Sequence, residues 1–169
     1  MLVDERDAEL GLMEKMQAHK EGRLHRAISI FIFNTKNEML LQKRAAGKYH
    51  SPGLWTNACC SHPRSNEHVK MTAIRRLREE MGMSAPLQQK FSFIYKADMK
   101  NGLIEHEYDH VFTGITDEQP LPDPSEVADW KYISLKELKA DLEKNPSLYT
   151  AWFRICFYDY YPQLFDDKL

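Results

Sequence analysis

The sequence predicts an α+β domain, a mixed β-sheet sandwich flanked by helices, and three observations predict it. Extended apolar runs come early, at residues 25–33 and 39–42. A single amphipathic helix pattern interrupts the strands in mid-chain, at about 66–81. Two helix-forming stretches then follow the last strand pattern, after residue 134.

Residues 25–33 (HRAISIFIF) are β-branched or aromatic and apolar on both faces, which predicts a buried strand. The turn residues 34–37 (NTKN) lead to a second strand at 39–42. A basic loop punctuated by Gly and Pro, 43–53 (KRAAGKYHSPG), precedes a short strand near 54–60. Ser65 or Asn66 can cap a helix that Gly82 stops after Met81. Val69, Ala73, Leu77 and Met81 recur every fourth residue and give that helix its buried stripe. Strands at 91–97 and 103–115 flank Asn101-Gly102, a strong hairpin signal, and another strand is expected at 130–133. Ser134 and Glu137 form a capping box for a helix ending before Asn145-Pro146, and the aromatic-rich stretch 148–160 predicts a packed terminal helix.

A chain of 169 residues fits one domain, 1–169, with enough length to bury a core. A net charge of −2 leaves no electrostatic footprint for nucleic acid or an anionic membrane, so any bound anion needs a local cluster of cations. No stretch reaches the roughly 20 apolar residues that span a bilayer, and the acidic start lacks a signal-peptide core. Three cysteines, two of them adjacent, make a poor disulfide framework, which points to a reduced, cytoplasmic setting.

Chemistry concentrates in four places. Glu105 and Glu107 lie two apart on a predicted strand and so share a face, about 7 Å apart at the backbone. Such a pair is either the solvent face of an edge strand or a site where a cation or shared proton relieves the repulsion. His19, His25 and His62 sit beside strand starts or tight turns, and with carboxylates they make a ligand set for Mn²⁺ or Zn²⁺, although their spacing forms no metal motif. Cys60, on the same face as His62, is as readily a small buried hydrophobe as a tuned thiol. On the helix, Arg76 and Glu80 form an i,i+4 pair at the edge of the apolar stripe, either a surface ion pair or a phosphate and Mg²⁺ contact. Lys43, Arg44 and Lys48 add positive charge in the preceding loop.

Taken in order, these segments carry a resemblance. Residues 67–83 match the helical half of the Nudix box through Glu67, Arg75, Leu77, Glu79, Glu80 and Gly82, with Ser61 where the box has glycine and Arg76 where it has a glutamate of the hydrolase metal cluster. Ala18-His19, Arg23-Leu24-His25-Arg26-Ala27, Trp55-Thr56-Asn57 followed by Cys60-Ser61-His62-Pro63, and Glu105-x-Glu107 extend the match. Over nearly its full length the chain resembles the type 1 isopentenyl-diphosphate isomerases, the branch of the Nudix superfamily that tolerates both departures.

The resemblance implies a Nudix-type sandwich with an extra N-terminal segment and a C-terminal helix. It implies one metal, Mn²⁺, Zn²⁺ or Mg²⁺, held by His19, His25, His62, Glu105 and Glu107. A second ion, Mg²⁺, would be shared by Glu80 and the substrate diphosphate, with the Cys60 backbone nearby. Lys15, Arg44, Lys48, Arg76 and the Ser61 backbone match diphosphate contacts. Cys60 and Glu107 match the acid–base pair, Tyr95 a tyrosine that supports the glutamate, and Trp152 an aromatic facing the hydrocarbon. The expected activity is isomerisation of isopentenyl to dimethylallyl diphosphate by a cytoplasmic, monomeric enzyme of isoprenoid biosynthesis. Hydrolysis of a nucleoside diphosphate derivative is the alternative.

Overall fold

The computed structural model describes residues 1–99 and 102–165. Two short strands, β1 (Leu2–Val3) and β2 (Glu9–Gly11), and a helix, α1 (Lys15–Glu21), precede the first long strand, β3 (His25–Phe33). Then come β4 (Glu38–Arg44), β5 (Trp55–Thr56), β6 (Cys59–Ser61), α2 (Val69–Met81), β7 (Gln88–Asp98), β8 (Ile104–Ile115) and β9 (Val127–Ser134). The chain closes with α3 (Leu135–Lys144), a 3₁₀ turn at Pro146–Leu148, α4 (Ala151–Asp159) and α5 (Tyr161–Phe165). Among the described residues no helix is long and apolar enough to cross a membrane.

The sheet is mixed, and β3 is its hub. It pairs in parallel with β8, from His25 opposite Glu107 to Phe33 opposite Ile115. It pairs antiparallel with β6, with Ser29 opposite Cys60. β7 runs antiparallel to β8 on the far side, while β4 carries β5 and β9. Because side chains alternate along a strand, β3 feeds two cores at once. Phe31 and Phe33 pack with Phe93, Leu138, Trp152, Phe153 and Phe157, under the C-terminal helices. Ile28, Ile30 and Ile32 pack with Cys59, Ala73, Leu77 and Met81, under α2. The two-faced apolar run at 25–33 thus marks a strand covered on both sides, as expected.

Most predicted elements stand where the sequence puts them, including the Ser134–Glu137 capping box. Four differ in detail. The strand expected near 54–60 is two strands, because buried Asn57 turns from the ladder and donates through Nδ2 to the Ile30 and Cys59 carbonyls. The terminal helix expected over 148–160 spans Ala151–Asp159 after the 3₁₀ turn. Of the Asn101-Gly102 hairpin signal, Asn101 lies outside the described residues; the strand before it runs longer than predicted, and the one after it starts one residue later. The helix expected from Ser65 or Asn66 begins at Val69, with His68 as its N-cap. Asn66 has a left-handed backbone (φ 60°), which ends any helix before it starts. At the other end Gly82 holds φ 63°, and a Cβ there would meet the Leu121 carbonyl oxygen at 2.2 Å, so glycine is required.

Glu67 sits just before α2 and accepts a fork from Arg75: Nε to Oε1 at 2.6 Å and Nη2 to Oε2 at 2.7 Å. That fork lowers the Glu67 carboxyl from its ordinary 4.5 to about 2. Between those values the folded chain keeps the charge while the unfolded chain takes a proton, so the stabilisation is whole above pH 4.5 and fades as pH falls towards 2. Urea midpoints at pH 6 and pH 3 should therefore fall further for the parent than for Glu67→Gln. Equal falls would show that the fork contributes nothing.

Candidate active site

Strands β3, β4, β6, β7 and β8, helices α1, α2 and α4 and the loops beside them deliver the polar groups to one cleft. In β8, alternation puts Glu105, Glu107 and Asp109 on one buried face. The strand is flanked by β3 and β7, so the alternative of an edge strand with two solvated acids does not hold. His25 opens β3 directly opposite Glu107, and His19 reaches the same point from the last turn of α1.

The histidine geometry suits a cation. His19 Nδ1 lies 2.7 Å from the Lys15 carbonyl and His25 Nδ1 lies 2.8 Å from that of Arg23, so each ring is assigned its proton on Nδ1 and presents a bare Nε2 to the interior. His25 Nε2 and His62 Nε2 face each other at 3.2 Å, and His62 Nε2 is 2.8 Å from Glu107 Oε1. His19 Nε2 is buried without a hydrogen-bond partner among the described residues, 3.4 Å from Glu105 Oε1. Burial lowers His25 to about 4 and pushes His62 well below its ordinary value, so both rings are neutral at pH 7. Donor atoms of His19, His25, His62 and Glu107 lie within 4.8 Å of one another, as do those of His19, His50 and Glu105. Imidazoles and carboxylates converging around an unpartnered nitrogen fit a divalent metal.

The two glutamates are not equivalent. Burial raises Glu105, but the adjacent His19 and His50 imidazoles and a hydrogen bond shared with Glu107 outweigh it and hold the carboxyl well below the usual range. Glu107 is driven well above that range by burial and by the charge on Glu105. Of the pair, Glu107 is the one that favours the protonated form, and Tyr95 Oη donates to its Oε2 at 2.7 Å.

On the other side of β3 from Glu107, Cys60 is half-buried and faces the same cleft. Its Sγ lies 3.1 Å from Asn57 Oδ1 and 3.4 Å from Ser29 Oγ, whose own proton goes to Asp109 Oδ2 at 2.6 Å. Burial, with the nearby Asp109, pushes the thiol up to about 12, against those hydrogen bonds. Cys59 points to the opposite face and is fully enclosed under α2.

Lys15, Arg44, Lys48 and Arg76 line the cleft with Ser61 and Glu80, and Trp152 closes it from α4. The Arg44 guanidinium stacks 5.2 Å from the Trp152 ring. Arg76 donates to Glu80 Oε1 at 2.5 Å and to Glu79, while Gln42 reaches Glu80 Oε2 at 3.2 Å. All fourteen residues expected at the site meet in or directly behind this cleft. Three more were not anticipated: Tyr49, His50 and Glu126. His50 and Tyr49 sit in a loop whose sequence offered no spacing motif, and Glu126, ion-paired to Lys48 and 3.4 Å from Arg76, precedes β9 with no local signal.

Comparisons with known proteins agree with the geometry. The NUDIX domain model matches residues 23–153. The computed fold superposes on the crystal structure of DR0079 from Deinococcus radiodurans with a TM-score of 0.71 at 19% identity, covering 85% of this chain and 88% of that one, a likeness of fold alone. Two curated proteins of Aromatoleum aromaticum, isopentenyl-diphosphate Delta-isomerase 1 and 2, are 55% and 53% identical over 92% of this chain and cover 88% and 82% of their own lengths. With an arginine at position 76 of helix α2 and a cysteine and a glutamate on strands either side of β3, the chain belongs to the Nudix superfamily and, within it, to the type 1 isopentenyl-diphosphate Delta-isomerases.

Proposed function

We infer that the chain isomerises isopentenyl diphosphate to dimethylallyl diphosphate by adding a proton at one end of a three-carbon unit and removing one at the other. The observation that carries this reading is the placement of the Glu107 carboxyl, hydrogen-bonded by Tyr95, and the Cys60 thiol on the strands either side of β3, in a cleft with four cations and Trp152 in its walls.

Glu107, with Tyr95 assisting, protonates the terminal CH₂ of the alkene, and Cys60 accepts the proton released from the carbon nearer the diphosphate. The reverse reaction exchanges the two roles. Lys15, Arg44, Lys48, Arg76 and the Ser61 backbone hold the diphosphate, which needs no activation and serves as a handle whose binding energy positions the alkene. Trp152, buried and face-on to a cation already, steadies the tertiary cationic intermediate by about 2 kcal/mol. Enzymes lower barriers by roughly 8–23 kcal/mol, so most of the gain must come from the oriented acid–base pair and exclusion of water.

His19, His25, His62, Glu105 and Glu107 would hold a divalent ion, Mn²⁺, Zn²⁺ or Mg²⁺, whose charge would make the proton on Glu107 more acidic. Glu80 and the Cys60 backbone would hold Mg²⁺ together with the diphosphate, whose oxygens Arg76 would contact. Every group in this reading comes from one chain, so residues 1–169 act as a single catalytic domain and a monomer suffices. Hydrolysis of a nucleoside diphosphate derivative is disfavoured, since Arg76 stands where hydrolysis calls for a metal-binding acid.

Incubation with isopentenyl diphosphate, Mg²⁺ and Mn²⁺ in D₂O, followed by NMR, should yield deuterated dimethylallyl diphosphate. Recovery of unlabelled substrate, or release of phosphate instead, would overturn the assignment.

A further inference from the structure

His50 is not among the five residues expected to hold the metal, yet its ring is buried at the centre of the site, with a nitrogen within 4.8 Å of the His19 and Glu105 donors. Its Nε2 lies 2.8 Å from Glu105 Oε1, closer than His19 at 3.4 Å. Its ring meets Trp152 edge-to-face at a centroid separation of 5.5 Å. Its backbone oxygen accepts from Arg44 Nη2 at 3.0 Å. One loop residue thus touches the carboxylate of the metal group, the aromatic wall and a diphosphate cation.

Its second ring nitrogen shows which kind of contact this is. A histidine that ligates a metal characteristically donates its other N–H to a carbonyl or carboxylate, as His19 and His25 do here. His50 Nδ1 is buried and has no partner among the described residues. A proton there would be stranded, whereas a proton on Nε2 has a carboxylate oxygen at hydrogen-bond distance.

We propose that His50 is a positioning residue: its Nε2–H holds the Glu105 carboxylate in the orientation that completes the metal group, and its ring and backbone tie that carboxylate to Trp152 and Arg44. It acts through Glu105 and is not itself a ligand. The proposal rests on the metal group of the preceding section. Loss of an outer partner of this kind lowers metal affinity by about 10–100-fold.

The test is calorimetric titration of metal-free protein with Mn²⁺, without substrate. His50→Phe keeps a ring against Trp152 but removes the donor, and it should bind Mn²⁺ about 10–100-fold more weakly than the parent. His50→Gln retains an N–H donor and should recover most of the loss, which a merely structural role would not produce. The Co²⁺-loaded Phe variant should keep the parent's visible absorption intensity, since the number of ligands is unchanged. Equal Mn²⁺ affinity in all three proteins would overturn the proposal. So would a Gln variant as weak as Phe, or a Co²⁺ spectrum showing a lost nitrogen donor. A parent that binds no Mn²⁺ would overturn the metal group itself, and this inference with it.

Discussion

Cys60→Ala is expected to lower kcat on the order of 10²–10⁴-fold, the usual contribution of a positioned proton-transfer group, and to leave KM for the diphosphate within a few-fold. The separation follows from placement. The thiol sits on β6 between Asn57 and Ser29, whereas Arg44 meets His50 and Trp152, Lys48 meets Glu126, and Arg76 meets Glu79 and Glu80. Alanine removes the proton carrier and keeps the handle. Cys59→Ala is the matched control: one residue away, it points into the core under α2 and should cost stability with kcat nearly intact. Steady-state kinetics on both variants decides the matter, and an equal loss in Cys59→Ala would assign the thiol wrongly.

Glu107→Gln should reduce kcat at least as severely and should also weaken metal binding. The amide matches the carboxyl in shape and can still accept from Tyr95, so the fold is spared. It carries no acidic proton and no charge to share among His25, His62 and a cation. Two independent measurements apply: deuterium incorporation into substrate and product in D₂O, and Mn²⁺ titration of the metal-free variant. Full isotope exchange with normal metal affinity would remove Glu107 from the mechanism.

How much of this was legible in sequence depended on whether the signal was local. The strand at 25–33, the stripe Val69–Ala73–Leu77–Met81 and the Ser134 cap are written in nearest neighbours, and each is found where expected. Asn66 and Asn57 misled because polar residues that bend a strand or precede a helix read like ordinary caps and turns. What they do depends on a backbone angle or a buried carbonyl elsewhere in the chain. The Glu105–Glu107 pair showed a shared face but not whether that face was wet; pairing of β8 on both edges decides that, and no local pattern encodes it. His50 and Glu126 were missed for the same reason, since their partners Glu105, Lys48 and Arg76 are remote in sequence.

The parallel pairing of β3 with β8 also governs when the enzyme comes to exist during folding. Ser29 and Asp109, hydrogen-bonded across that seam, are 80 positions apart in the chain. Closing a loop of that length costs roughly 4 kcal/mol in chain entropy beyond the constant term, and parallel pairs between remote segments form slowly. His25 and Glu107 belong to the same seam. Residues 1–100 hold the thiol, His19, His25, His62 and every diphosphate-binding cation, yet they lack both glutamates. Reactivity therefore cannot precede closure of the β3–β8 seam, the same topology that shields it from water.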